Sequence, residues 1–189
     1  MSSGKLIIFS APSGAGKTTV VHHLLSKKFG LQFSISATTR GQREGEVNNK
    51  DYYFLSVPEF KEKITRKSFV EWEEVYADNF YGTLRTEVDR IWEQGNHVIF
   101  DVDVEGGLNL KHAYGDKALA IFVMPPSLDR LKERLESRET ETVESVARRI
   151  SKAPSEIEKS VDFDKIILND ELNEALKKAE ELVRDFLKD

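Results

Sequence analysis

Residues 5–18 read Lys-Leu-Ile-Ile-Phe-Ser-Ala-Pro-Ser-Gly-Ala-Gly-Lys-Thr. The first six form an apolar, partly β-branched run, which is how a strand buried on both faces reads. Ala11-Pro12-Ser13-Gly14-Ala15-Gly16 breaks the run as a loop. From Lys17 the pattern turns helical, with Val20, Val21, Leu24 and Leu25 on one face and basic residues at Lys27-Lys28 near its negative end. A strand, a glycine loop and a helix in that order open an α/β unit.

Residues 11–18 have the spacing of a phosphate-binding P-loop ending in Gly-Lys-Thr, with Ala11 where the first glycine commonly stands. Gly14 and Gly16 permit a tight turn that aims successive backbone N–H groups inward, and the helix adds the positive end of its dipole. Lys17 can reach β- and γ-phosphates, and the Thr18 hydroxyl can serve Mg²⁺. A left-handed backbone at Ala11 would cost about 1–2 kcal/mol, so that position is expected to be unstrained. The alternative reading is a glycine-rich turn with an incidental lysine. The strand before and the helix after favour phosphate binding.

Further along, His97–Asp101, Ala118–Met124 and Lys165–Leu168 read as buried strands. Helical patterns are expected over residues 83–94, 127–136 (Ser127 as N-cap) and 170–187. Strands alternating with helices imply a parallel sheet covered on both faces. Two regions break the rhythm. Residues 34–86 hold nine of the eighteen aromatic residues and several short strand-like pieces, as a small inserted module would. Residues 127–159 hold sixteen charged residues, eight of each sign, as exposed helices of a movable lid would. The fold expected is therefore α/β, a three-layer P-loop fold. Its core comprises 1–33, 87–126 and 160–189, with a mixed α+β acceptor-binding module at 34–86 and a helical lid at 127–159.

Composition narrows the chemistry. The 189 residues suit one domain with insertions. Cysteine is absent, which excludes disulfides, thiolate metal sites and cysteine nucleophiles. A net charge of −5 argues against a nucleic-acid coat. The longest apolar run, seven residues, is far too short for a membrane span, and no secretory signal is read at the N-terminus. Cytoplasmic residence is the default expectation, with no membrane and no nucleic-acid partner. His22 and His23 are neighbours on the first helix and are read as surface or boundary residues.

In the module, Arg40 and Arg43 lie three apart beside Gly41 and Gly45. Two guanidinium groups near a turn can fork a phosphate dianion. Equally, they can be solvated partners of Glu44 and Glu46. Glu71 lies in Phe69-Val70-Glu71-Trp72, either as a solvent-facing strand residue or as a purine reader. The run from His97 to Asp103 ends in alternating aspartates, Asp101 and Asp103, at the usual ligand edge of an α/β sheet. They can orient metal-bound waters or an acceptor, or merely cap the turn at Gly106. Arg134, Arg138, Arg148 and Arg149 can supply cations to a transferring phosphoryl group, or form exposed salt bridges.

Taken together, Thr-Thr-Arg-x-x-Arg-x-Gly-Glu at 38–46, Lys-Asp-Tyr-x-Phe at 50–54, Phe-Val-Glu-Trp at 69–72, Tyr-Gly-Thr at 81–83, Asp-Val-Asp-x-x-Gly at 101–106 and Asn169-Asp170 behind the P-loop resemble the guanylate kinase family of nucleoside monophosphate kinases. The resemblance spans nearly the whole chain. It implies Mg²⁺-dependent transfer of the γ-phosphoryl group of ATP to GMP, in purine nucleotide metabolism. It implies GMP-phosphate contacts from Arg40, Arg43, Tyr52 and Tyr81. It further implies base contacts from Glu71, Ser36 and Thr83, with Asp101 and Asp103 beside them. It implies that ATP lies along Ala11, Pro12, Ser13, Gly14, Ala15, Gly16, Lys17 and Thr18, with Arg134, Arg138 and Asn169 near the adenine and phosphates. Arg148 and Arg149 match lid arginines. The catalytic cations implied are Lys17, Arg134, Arg138 and Arg149, and either a monomer or a homodimer is compatible.

Three positions depart from the family's pattern. Asn49 stands where glycine is common, a substitution that a left-handed turn tolerates. Phe80 replaces a frequent tyrosine, and Thr83 replaces serine but keeps the hydroxyl. Guanylate-kinase-like domains of scaffolding proteins bind phosphopeptides with the same acceptor-side residues; the intact Gly-Lys-Thr and the lid arginines favour the enzyme. An AMP or UMP kinase is the other rival, against which Glu71 argues.

Overall fold

A computed structural model of the protein describes residues 4–137 and 142–188. In chain order the elements are β1 (Leu6–Ser10), α1 (Lys17–Leu25), β2 (Leu31–Phe33), β3 (Ala37–Thr38), β4 (Tyr53–Phe54), α2 (Val57–Thr65), β5 (Phe69–Tyr76), β6 (Asn79–Leu84), α3 (Arg85–Glu93), β7 (His97–Asp101), α4 (Val104–Tyr114), β8 (Ala118–Met124), α5 (Leu128–Glu136), α6 (Val143–Glu158), β9 (Lys165–Leu168) and α7 (Leu172–Lys188).

β1 lies at the centre of a five-stranded parallel sheet of order β2-β7-β1-β8-β9. All five of its residues are buried. Alternate side chains point to opposite faces, so Ile7 and Phe9 join one apolar cluster with α1 and α7, while Leu6 and Ile8 join another with α3 and α4. Burial on both faces explains why the strand is an unbroken apolar run. The mixed α/β architecture and parallel core agree with the sequence reading.

Residues 37–84 build a second sheet of order β4-β3-β6-β5, in which β5 and β6 form an antiparallel hairpin. It has its own small core, with Phe60 stacked on Phe69 and Phe80 at centroid distances of 4.3 and 5.3 Å. Phe80 is buried there, so the hydroxyl it lacks would have pointed into an apolar cluster. Asn49 takes the left-handed backbone, φ +66°, that its position requires. Helix α2 begins at a capping box in which Ser56 and Glu59 satisfy each other's backbone N–H.

Three expectations need adjustment. The strand expected to be buried at Lys165–Leu168 forms as β9, but it lies at the sheet edge, where Ile167 is buried and Ile166 and Leu168 are exposed. The helix expected over 83–94 begins only at Arg85, because Thr83 and Leu84 pair with β5 in the hairpin. The charged segment 127–159 buries more than its composition suggests: Leu131 and Leu135 of α5 and Val146 and Ala153 of α6 belong to the main apolar cluster. Helix α4 was not read from the sequence. Gly107 in its first turn brings it against Ser10 and Ile8 of β1, where any Cβ would collide. No helix among the described residues is long and apolar enough to cross a membrane.

Candidate functional site

The loop between β1 and α1 closes around a cavity of about 300 Å³ lined by residues 11–19, Asp101, Asp103 and Glu156. Gly14 and Gly16 hold φ of +91° and +94°, a backbone that side chains disfavour. Ala11 has no such conformation and is unstrained. The loop is braced from beneath by Asn169, a buried residue whose amide Nδ2 donates to the Ala15 carbonyl at 2.7 Å. The Asn169 carbonyl in turn accepts from Arg134 Nη2 at 3.0 Å. Asn169 therefore acts on the phosphate loop from behind, and the described cavity wall does not include its side chain.

This packing makes Gly16→Ala a severe change. A Cβ at Gly16 would collide with the Asn169 amide and would also strain a positive φ. Strain alone costs about 1–2 kcal/mol. The expected result is a lower melting temperature together with at least a roughly 100-fold loss of affinity for a non-hydrolysable ATP analogue, measured by calorimetry. Affinity like the parent's would show that the loop does not need this conformation.

At the head of α1, Lys17 Nζ meets Asp101 Oδ1 at 2.7 Å and donates to the Val102 carbonyl. The Thr18 hydroxyl donates to Asp101 Oδ2 at 2.7 Å. Asp101 sits at the carboxyl end of β7, next to β1 in the sheet, which is why residues so far apart in sequence meet. β7 ends at Asp101, and Asp103 instead caps α4, accepting from the Gly106 N–H at 2.8 Å. The capping use holds for Asp103, which also lines two cavities.

A second cavity of about 300 Å³ adjoins the first and shares Lys17, Asp101 and Asp103 with it. Its wall carries Ser36, Tyr52, Glu71 and Tyr81. Glu71 of β5 faces Thr83 of β6, whose hydroxyl donates to Glu71 Oε1 at 2.8 Å. Burial, with the negative charge of Asp103 adding to it, pushes the Glu71 carboxyl up to about 7; the Thr83 bond opposes the shift. Gly106 gives this carboxylate room, because a Cβ there would stand 3.2 Å from Oε2. Tyr52 and Tyr81 meet edge to face at 6.3 Å, and burial raises the Tyr52 hydroxyl above its ordinary range.

A third cavity carries Arg40, Arg43, Arg148 and Arg149 together with both tyrosines. Arg40 lies over the Tyr52 ring at 5.0 Å and forks onto Glu46 through bonds of 2.8 and 2.7 Å. That bond and the Arg43 backbone N–H hold the Glu46 carboxyl down at about 2. The pairing with Glu46 thus holds for Arg40, and the guanidinium it fixes also lines the cavity. Arg149 donates to Ser13 Oγ, tying α6 to the phosphate loop. Arg138 lies outside the described residues.

The structure also brings in residues the sequence reading passed over. Glu73 lines the second cavity beside Glu71, and Lys152 of α6 lines both that cavity and the third. Lys152 pairs with Glu156 at 3.2 Å. For Glu73 a signal existed, since residues two apart on a strand share a face. For Lys152 and Glu156 none did, within a segment so evenly charged.

A family model described as guanylate kinase matches residues 3–186. A guanylate kinase of Bacteroides fragilis is 48% identical over 183 residues, covering 97% of this chain and 90% of the relative. One from Salinibacter ruber is 46% identical, covering 99% of each. Among solved structures, a guanylate kinase of Anaplasma phagocytophilum superposes with a TM-score of 0.77 at 25% identity, over 100% of this chain and 89% of that one.

Proposed function

Because the chain belongs to the guanylate kinase family, as an enzyme of that activity, we propose that its adjoining cavities hold the triphosphate of ATP and a GMP acceptor for direct, in-line phosphoryl transfer. The observation that carries this reading is that Lys17 and Asp101 belong to both the phosphate-loop cavity and the Glu71 cavity. Two substrates placed there meet at one lysine.

Guanine presents N1–H and an exocyclic NH₂ side by side, and ionised Glu71 accepts from both. The GMP phosphate lies among Arg40, Arg43, Tyr52 and Tyr81, which leaves one of its oxygens facing the γ-phosphorus. That oxygen is the nucleophile, so no covalent enzyme intermediate is needed. Catalysis consists of positioning and of charge stabilisation by Lys17, Arg134 and Arg149. Arg148 closes over the phosphates with them.

The hydroxyl of Thr18 and the carboxylate of Asp101 are hard oxygen donors at the phosphate cavity, a set that fits Mg²⁺ shared with substrate phosphates. When bound there, Mg²⁺ neutralises phosphate charge. The segments 34–86 and 127–159 close over the reacting groups and exclude water, which would otherwise hydrolyse ATP. The setting that fits this activity is the cytoplasm, in purine nucleotide metabolism and GMP recycling.

The test is ADP release from ATP and Mg²⁺ with GMP, AMP, UMP or no acceptor. Fast release with GMP alone is expected. Release independent of acceptor would overturn the reading.

The position of Glu71 adds a pH dependence. Its carboxyl ionises near pH 7, and only the ionised form accepts both guanine donors. Between pH 6 and 8 the ionised fraction rises from about a tenth to about nine tenths. The KM for GMP should therefore fall up to about tenfold over that range, as steady-state kinetics would read. Stability moves the other way. The folded chain holds this proton more tightly than the unfolded chain does, so the contribution is full below the ordinary value of 4.5 and is lost as pH rises through about 7.

A further inference from the structure

The hairpin register places Glu71 opposite Thr83 and, two residues along, Glu73 opposite Tyr81. Successive residues on one face of a strand lie about 7 Å apart. The first pair forms the base-reading end of the acceptor cavity, and Tyr81 belongs with the arginines at its phosphate end. A nucleoside monophosphate that spans the two carries its sugar past the second pair. Glu73 Oε2 is buried there with no hydrogen-bond partner among the described residues. The Asp103 carboxyl of the α4 cap lies within hydrogen-bond reach of Glu73 but donates only when one of the two carboxyls holds a proton, and the positive charges of Lys152 and Lys159 act on Glu73 through space. An unsatisfied buried carboxyl oxygen costs stability unless something donates to it.

We propose that Glu73 is a sugar-reading residue, accepting a hydrogen bond from the ribose 2′-hydroxyl of the acceptor and setting a preference for the ribonucleotide over the deoxyribonucleotide. Carboxylates take ribose hydroxyls in this way at the strand ends of dinucleotide-binding folds. A site built to bond a hydroxyl rejects the analogue that lacks it, because the buried acceptor is then left unpaired. Burial and Asp103 push the Glu73 carboxyl up, which fits a group that a neutral donor satisfies better than solvent does. The inference rests on the proposed use of GMP as acceptor.

The experiment compares kcat/KM for GMP and dGMP in the parent protein, Glu73→Ala and Glu73→Gln. The parent is expected to favour GMP by about tenfold or more. Glu73→Ala should collapse that ratio toward one, chiefly through the KM for GMP. Glu73→Gln keeps an acceptor oxygen and should retain part of the ratio; it serves in place of Glu73→Ala if the latter fails to fold. Equal use of GMP and dGMP by the parent would overturn the inference. So would equal loss for both acceptors in the variants, the result expected if Glu73 only joins β5 to α6 through Lys152. Phosphorylation of neither nucleotide by the folded parent would instead remove the acceptor reading itself.

Discussion

Lys17→Ala should lower phosphoryl transfer about 10³-fold while the protein stays folded. A single preorganised donor to developing charge is worth about 10²–10³ in rate. Lys17 is more than that, because it carries a full charge and stands where the two substrate cavities meet. The fold should survive, since the lysine side chain holds no apolar core together: its partners are Asp101 and the Val102 carbonyl. With the lysine removed, Asp101 keeps its bond from Thr18. Single-turnover ADP formation and a melting curve check both halves. Substantial residual transfer in a folded variant would remove Lys17 from the chemistry.

Glu71→Gln should lower kcat/KM for GMP by about 10³-fold and leave binding of an ATP analogue intact. A site that bonds a particular donor pattern discriminates by about 10⁴ or more, and this substitution reverses half the pattern. Glutamine offers one acceptor and one donor. Against guanine, its NH₂ faces a second donor. Against adenine, its NH₂ meets the N1 acceptor while its oxygen takes the exocyclic amine. The ratio of GMP to AMP use should therefore shrink from both sides. The variant should also lose the pH dependence of KM near 7, because glutamine does not titrate. Initial rates with both acceptors, at pH 6 and at pH 8, read all of this. Equal losses with every acceptor would mean that the β5–β6 sheet had been disturbed instead.

The parts of the fold that were legible in the sequence share one property: local pattern and tertiary role agree. β1, β7 and β8 are apolar because sheet and helices cover them, β9 buries only Ile167 at the sheet edge, and α7 carries an unbroken apolar stripe. Where the two disagree, reading failed. Thr83 and Leu84 fit a helical spacing, yet the hairpin claims them, since strand pairing is a non-local decision. Helix α4 contains Gly106 and Gly107, which weaken helical propensity; their reason lies in what they approach, Glu71 and Ser10. Helix α2 was legible in principle, because Ser56 and Glu59 have capping-box spacing.

The site divides in the same way. The P-loop residues and Arg40, Arg43, Tyr52, Glu71 and Tyr81 are recognisable in order along the chain, and the structure gathers them around adjoining cavities. The sequence could not show that Asn169 works as a brace, since that requires knowing that β9 ends beneath the loop. Nor could it show that Asp101 engages Lys17 and Thr18 together.

The position of β1 has a consequence for how the protein is made. Both sheet neighbours of β1 come from beyond residue 96, and the brace under its loop is residue 169. A ribosome adding about 5–20 residues per second delivers that brace roughly eight to thirty seconds after Thr18. Through that interval the phosphate loop has been synthesised but has no sheet to hang from. Nascent chains should therefore gain the ability to retain nucleotide only near the end of translation, and the exposed apolar strand beside the loop is the segment a chaperone would shield until then.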